Sequence, residues 1–178
     1  NRFDPATGRN MAMPMPSSIG CFTLRQGGGF VVALRDGLYF ADRQGVLGST
    51  IAGAPYDPAH HRFNDGRCDP RGRFFVGAMN ERRDADSAGL WRLDPDLSLH
   101  PVLDGVMISN GLAWSPDGRT MYHADTPKHV VRAYDYDVAT GTPSRQRWTA
   151  MIGHPSPHAT MRPIAAPRRY NSPPEPPG

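Results

Sequence analysis

Two asparagines occupy matching positions in two similar segments of the sequence. Asn64 lies in RFNDGRCDPRGRFFVGAMN, residues 62–80, and Asn110 lies 46 residues later in ISNGLAWSPDGRTMYHADT, residues 108–126. In both segments a proline stands six residues after the asparagine, and a Gly-Arg pair begins two residues after the proline. Amide oxygens are ligands suited to hard divalent cations, so two asparagines in register predict one polar site. The alternative is that each asparagine only forms a turn, since a glycine follows closely.

The repeat distance predicts the elements that would position these side chains. A period of about 40–50 residues, built from short strands and Gly- or Pro-rich turns, is typical of β-propeller blades. A strand with its turn recurs at residues 2–5, 92–95 and 132–135, with a fourth copy at 38–42. No segment has a sustained 3.6-residue apolar period, so little helix is expected. We therefore predict an all-β, antiparallel β-propeller with about three blades in this chain.

The apolar pattern predicts six individual strands, bounded by turn signals such as the Gly27–Gly29 run. They are Phe30–Leu34, Gly37–Ala41, Phe74–Ala78, Leu90–Leu93, Thr120–Ala124 and Val130–Tyr136.

The chain divides by composition into two parts. Residues 1–148 are expected to form the partial propeller. Residues 149–178 hold eight of the nineteen prolines, and this predicts a disordered tail, a linker or the product of a shifted reading frame. Three blades cannot close a ring, and the sequence begins inside a copy of the repeat. The expectation is a piece of a longer protein or the product of a damaged gene.

Composition argues against several classes of partner. The 20 basic and 17 acidic residues are interspersed and give a net charge of +3, so no nucleic-acid partner is predicted. No apolar run reaches the ~18 residues of a membrane span. Cys21 and Cys68 are expected to be reduced, buried thiols of a cytoplasmic protein, with a single disulfide as the alternative. The histidine spacings match no zinc motif.

The two motifs together resemble the senescence-marker-protein / gluconolactonase / luciferin-regenerating-enzyme (regucalcin-like) family. The resemblance rests on RFNDG (62–66) with DPRGR (69–73), on SNGLAWSPD (109–117) with the following ADT (124–126), and on AYDYD (133–137). It covers about residues 1–147. It implies a six-bladed propeller with one divalent cation (Ca²⁺, Zn²⁺, Mn²⁺ or Mg²⁺) in the central channel, and hydrolysis of small sugar lactones to aldonic acids. The oligomeric state is left open.

The resemblance also implies roles for four residues. Asn110 would be a metal ligand through its side-chain oxygen, and Asn64 would contact the metal through water or contact the substrate. Arg62 would bind the oxygens of the lactone, and Glu81 would help to hold the substrate. The family's glutamate ligand and its general-base aspartate belong to segments that this sequence does not match, so the catalytic residue stays unknown.

Impaired activity of this chain is therefore expected. The alternatives are a non-catalytic calcium-binding or regulatory propeller and an inactive truncated product. Asp65 and Asp125 are predicted to hydrogen-bond to backbone, and Trp91 and Trp114 to be core aromatics between blades.

Overall fold

The computed structural model describes residues 1–151. These residues form fourteen β-strands and one short 3-10 helix, η1 (Thr126–Lys128). The strands are β1 (Arg2–Asp4), β2 (Arg9–Met11), β3 (Cys21–Leu24), β4 (Phe30–Ala33), β5 (Gly37–Ala41), β6 (Leu47–Gly53), β7 (His61–Cys68), β8 (Phe74–Asn80), β9 (Ala88–Leu93), β10 (Leu99–Val106), β11 (Ser109–Trp114), β12 (Thr120–Asp125), β13 (Val130–Asp137) and β14 (Thr142–Met151).

The strands are arranged as three four-stranded sheets and one hairpin. Each sheet pairs its strands in chain order, β3 to β6, β7 to β10 and β11 to β14, and β1 pairs with β2. All of these pairs are antiparallel. We call the three sheets the first, second and third blades. The predicted all-β antiparallel propeller with about three blades is confirmed, and the ring size of six stays a prediction.

The hydrophobic core lies between the blades. Strand β8 is buried along its whole length, and its alternate side chains serve two different clusters. Phe74 and Val76 pack with Val31 and Leu38 of the first blade. Phe75 points the other way and packs with apolar side chains of the third blade. The central blade is thus an apolar sheet on both faces, which explains the continuous run FFVGAM in its sequence.

The predicted core aromatics are found at these two junctions. The Trp91 ring lies against Phe63, with ring centroids 6.4 Å apart. Trp114 packs between Phe75 and Tyr136, at centroid distances of 5.2 and 5.7 Å. Edge-on contacts of this kind add to the burial of the rings.

The repeats found in the sequence correspond to equivalent turns, with one correction. Asp4 and Asp137 each accept hydrogen bonds from the backbone two residues ahead and from a threonine hydroxyl three residues ahead. The strand predicted to end at Tyr136 therefore continues to Asp137. The repeat copy at 132–135 was misplaced by two residues, because Tyr136 is buried and remains paired with β14.

Other sequence features have a direct counterpart in the fold. The Gly27–Gly29 run forms the predicted hairpin turn between β3 and β4, where Gly28 and Gly29 have φ of 90° and 77°. Cys21 and Cys68 are half-buried free thiols, and burial raises the pKa of Cys21. No helix in residues 1–151 is long and apolar enough to cross a membrane.

The expected boundary after residue 148 stays a prediction. Strand β14 ends at Met151, and the rest of the expected tail, residues 152–178, lies outside the described residues.

Candidate functional site

The two motif asparagines lie in the innermost strands of the second and third blades. Asn64 is in β7 and Asn110 is in β11, so the interpretation of both as turn residues is wrong. Each strand contains a bulge at this point. In β7, Asn64 and Asp65 stand opposite the single residue Gly77. In β11 the extra residues follow Asn110 directly. Bulges change the direction of neighbouring side chains, so glycine-rich motifs here reflect bulged strands and not loops.

A chain of side-chain hydrogen bonds joins the two blades. Asn64 Nδ2 donates to Asn110 Oδ1 at 2.9 Å and to the Ser109 carbonyl at 3.0 Å. Asn110 Nδ2 in turn donates to Thr126 Oγ1 at 2.6 Å. On the other side, Arg62 Nη1 donates to Asn64 Oδ1 at 3.3 Å. The four side chains form one continuous polar path across the blade junction.

Glu81 joins this path through two arginines. Its Oε1 lies 3.3 Å from Arg62 Nε. Arg35 reaches it from the first blade with both terminal nitrogens, at 2.7 Å to Oε2 and 2.9 Å to Oε1. The hydrogen bonds from Arg35, reinforced by the charge of both arginines, hold the pKa of Glu81 below its ordinary value. Two guanidinium groups and one carboxylate leave this cluster with a net positive charge.

Two aspartates fix the backbone around the asparagines. Asp65 accepts a hydrogen bond from the Gly66 amide and, across the junction, one from the Gly111 amide at 2.8 Å. Asp125 is fully buried and accepts from the Met107 and Ile108 amides at 3.2 and 3.0 Å. The prediction that both aspartates hydrogen-bond to backbone is confirmed. They fix the backbone on which the asparagine side chains are mounted.

A buried serine–histidine pair adjoins the site, since Ser109 directly precedes Asn110 in β11. Ser109 Oγ lies 2.9 Å from His123 Nε2, and both residues are fully buried. Desolvation, with the nearby charge of Arg132, lowers the pKa of His123 to about 4. A Cβ placed on Gly77 would overlap both side-chain atoms of Ser109. Glycine is therefore required at residue 77, because the serine occupies the space of its missing side chain.

The described residues fit one part of a divalent metal site. Asn110 Oδ1 receives a hydrogen bond from Asn64 and has a second lone pair available to a cation. In residues 1–151, no three His, Cys, Asp or Glu side chains form a cluster that could hold a metal ion. The asparagine oxygen is thus a suitable ligand for a hard cation, but a neutral one. The carboxylates that would complete such a site are not brought together in this part of the chain.

The structure brings all four predicted site residues together, and their roles stay predictions. Sequence reasoning missed two neighbours, Arg35 and Thr126. The repeat distance could have identified both residues. Arg35 lies 46 residues before Glu81, and Thr126 lies 45 residues after Glu81. The three occupy the same place in successive blades, directly or almost directly after the second strand.

Known proteins share extensive sequence similarity with this chain. The family model described as SMP-30/Gluconolactonase/LRE-like region matches residues 1–157. A 6-deoxy-6-sulfogluconolactonase from Pseudomonas putida is 45% identical over 137 residues, which are 77% of this chain and 47% of the relative. Regucalcin from Xenopus laevis is 36% identical over 151 residues, 82% of this chain and 50% of the relative.

A solved structure shares the fold of this chain. The calcium-binding protein regucalcin from Agrobacterium tumefaciens strain C58 superposes with a TM-score of 0.72 at 25% identity, covering 82% of this chain and 48% of that one. The chain spans about half the length of the curated relatives it matches.

Proposed function

Because the chain belongs to the SMP-30/gluconolactonase/LRE-like family, we propose that the protein containing it hydrolyses sugar lactones to aldonic acids. The observation that carries this proposal is the continuous path from Arg62 through Asn64 to Asn110. It places donors and acceptors from two blades where one small, hydroxyl-rich ligand could contact all three. The Pseudomonas relative is named for a lactone of this type.

The site residues would bind and orient the lactone. Arg62 offers a guanidinium beside Asn64, and a fixed cation of this kind suits the ring and carbonyl oxygens of a cyclic ester. Glu81 has lone pairs left after its contacts with the arginines, so it can accept hydrogen bonds from sugar hydroxyls. Asn64 Oδ1 accepts from Arg62 and has a second lone pair for a sugar hydroxyl. Together these groups would hold the ring in one orientation, which is how positioning lowers a barrier.

We include in the proposal one divalent cation, Ca²⁺, Zn²⁺, Mn²⁺ or Mg²⁺, held in part by Asn110. When bound, such an ion polarises a carbonyl and lowers the pKa of a coordinated water. Among residues 1–151 we assign no general base. We infer that the 178-residue chain alone binds metal weakly and turns over slowly, because a neutral amide oxygen without carboxylate partners makes a weak site.

The experiment compares the longest reading frame that contains this sequence with the 178-residue chain. Hydrolysis of D-glucono-δ-lactone is followed by proton release, before and after chelation. We expect activity in the longer protein, a loss on chelation, and far less activity per mole in the shorter chain. Asn110→Ala should abolish most of the activity, whereas Asn10→Ala on the exposed hairpin strand β2 is the matched control. Full activity in the Asn110 variant would refute the assignment of this site.

A second candidate is a non-catalytic calcium-binding propeller. What favours it is that we assign no general base among residues 1–151, together with the solved regucalcin being named a calcium-binding protein. Calorimetric titration with Ca²⁺ separates the two candidates. Tight binding in a longer protein that hydrolyses no aldonolactone would favour the second, and lactone turnover that depends on the ion would favour the first. The cytoplasmic location and the absence of nucleic-acid and membrane partners stay predictions.

A further inference from the structure

Arg35 links the first blade to the site in the second. It follows β4 immediately after the buried Leu34. Its two terminal nitrogens meet the two carboxylate oxygens of Glu81 in a fork, at 2.7 and 2.9 Å. A two-point contact of this kind fixes both the position and the plane of a carboxylate, which a single ammonium group does not do.

Hydrogen bonds hold both the side chain and the backbone of Arg35. Its Nη1 also donates to the Pro58 carbonyl at 3.1 Å. Its backbone carbonyl accepts from the Tyr56 hydroxyl at 3.1 Å, and its backbone amide donates to Ser17 Oγ at 3.2 Å. These contacts restrict the side chain before any ligand arrives. Arg35 is therefore a rigid support, unlike a typical surface arginine that loses rotamer freedom when it forms an ion pair.

Glu81 needs such a support because little else orients its side chain. It is the first residue after β8, and its side chain is 34% exposed. Its other charged contact is the longer one to Arg62. Arg35 and Arg62 are the charged groups that face its carboxylate among the described residues. Without Arg35, the carboxylate would pivot around a single 3.3 Å contact.

We propose that Arg35 is a positioning residue of the lactone site, holding the Glu81 carboxylate in the place and orientation in which it binds substrate hydroxyls. This inference rests on the proposed function for the identity of the ligand. The fork between the residues does not depend on that function, and it can be measured separately.

The first test does not need activity. The side-chain carbonyl of Glu81 is titrated by carbon NMR in the wild-type chain, in Arg35→Met and in Arg35→Lys. We expect the titration midpoint of Glu81 to rise in Arg35→Met, and to rise less in Arg35→Lys, which keeps the charge and loses the fork. Arg145→Met is the matched control, because Arg145 forms an exposed ion pair with Asp135 in the third blade. An unchanged Glu81 midpoint in both Arg35 variants would overturn the proposal.

The second test uses the lactonase assay on the longer protein. We expect Arg35→Met to raise KM for D-glucono-δ-lactone about tenfold, with kcat changed less than about twofold, and Arg35→Lys to recover part of the loss. The acidic limb of kcat/KM should move to higher pH by the same shift that NMR records. Equal kinetics in wild type and both variants would contradict the inference. If the wild-type protein hydrolyses no lactone, the proposed function fails, and the NMR titration alone decides whether Arg35 positions Glu81.

Discussion

The buried His123 predicts a specific loss of stability in acid. Its ring stands opposite the bulge of β11, with Nε2 against Ser109 Oγ. Its Nδ1 is buried without a hydrogen-bond partner among the described residues. Charging this ring in the folded state would place a cation in a desolvated position beside the positive charge of Arg132, with only Asp125 opposing the effect. The folded protein therefore binds this proton much more weakly than the unfolded chain.

The magnitude follows from proton linkage. The pKa of His123 falls from the ordinary value of 6.5 to about 4 in the folded state. The folded state accommodates the neutral ring, so the stability that depends on His123 being neutral is present in full above pH 6.5. This stability is lost as the pH falls toward 4. One such group lowers the free energy of unfolding by about 2 kcal/mol between pH 7 and 5, and by about 3 kcal/mol between pH 7 and 4.

The assay is urea denaturation of wild type and His123→Gln at pH 7, 5 and 4, followed by tryptophan fluorescence. Glutamine keeps a hydrogen-bonding side chain next to Ser109 and does not titrate. Other acidic groups affect both proteins alike, so the wild-type minus variant difference isolates His123. We expect this difference to fall by about 3 kcal/mol from pH 7 to 4. A difference that is constant with pH would refute the argument that burial suppresses protonation of this ring.

Three further predictions concern packing, a buried hydrogen bond and metal binding. Gly77→Ala should destabilise the fold by about 1–3 kcal/mol, seen as a lower urea midpoint, because the new methyl group would overlap Ser109. Tyr136→Phe should lower the free energy of unfolding by about 1.5–3 kcal/mol in the same assay, since its hydroxyl donates to the buried carboxylate of Asp69 at 2.6 Å. Asn110→Ala should weaken calorimetric Ca²⁺ binding by the longer protein more than about tenfold.

Controls make these predictions decisive. Gly53→Ala is the match for Gly77→Ala, since Gly53 ends a strand and has open space around its Cβ position. Equal midpoints for the two glycine variants would contradict the overlap argument. Tyr134→Phe is the corresponding control for Tyr136→Phe, because Tyr134 lies in the same strand and is likewise buried. Unchanged Ca²⁺ affinity after loss of the Asn110 side chain would remove that residue from the metal site.

The sequence predicted the middle strands of each blade and missed the outer and inner ones. The six predicted strands correspond to β4, β5, β8, β9, β12 and β13. These strands pair on both sides and are mostly buried, so their sequences are apolar enough to be recognised. Strand β6 is largely exposed and contains small polar residues, and β7 and β11 contain Asn, Asp and Gly at bulges. Pattern reasoning kept a turn as the alternative for both asparagines because bulges and turns use the same residue types.

The site was predictable as far as its motifs extend. Arg62, Asn64 and Asn110 belong to the two long motifs, and the structure joins them with Glu81. Arg35 belongs to neither motif, and the turn that carries it, Arg-Asp-Gly, resembles any hairpin turn. Its place at the site depends on how the first blade packs against the second, which no local pattern reports. The 46-residue repeat distance was the available signal, since Arg35 and Glu81 are separated by that number of residues.

The bulge in β7 has a consequence for which changes this segment can tolerate. Phe63 and Cys68 pack on the same core cluster although they are five residues apart. In a regular strand an odd separation would place them on opposite faces. The extra residue at Asn64 and Asp65 restores even parity, so the strand presents a polar group to the site and still returns its apolar side chains to the core. Deleting either Asn64 or Asp65 would leave one residue opposite Gly77, so the strand would become regular and its apolar side chains would stay on the core face. The extra residue is therefore required by the polar site and not by the core.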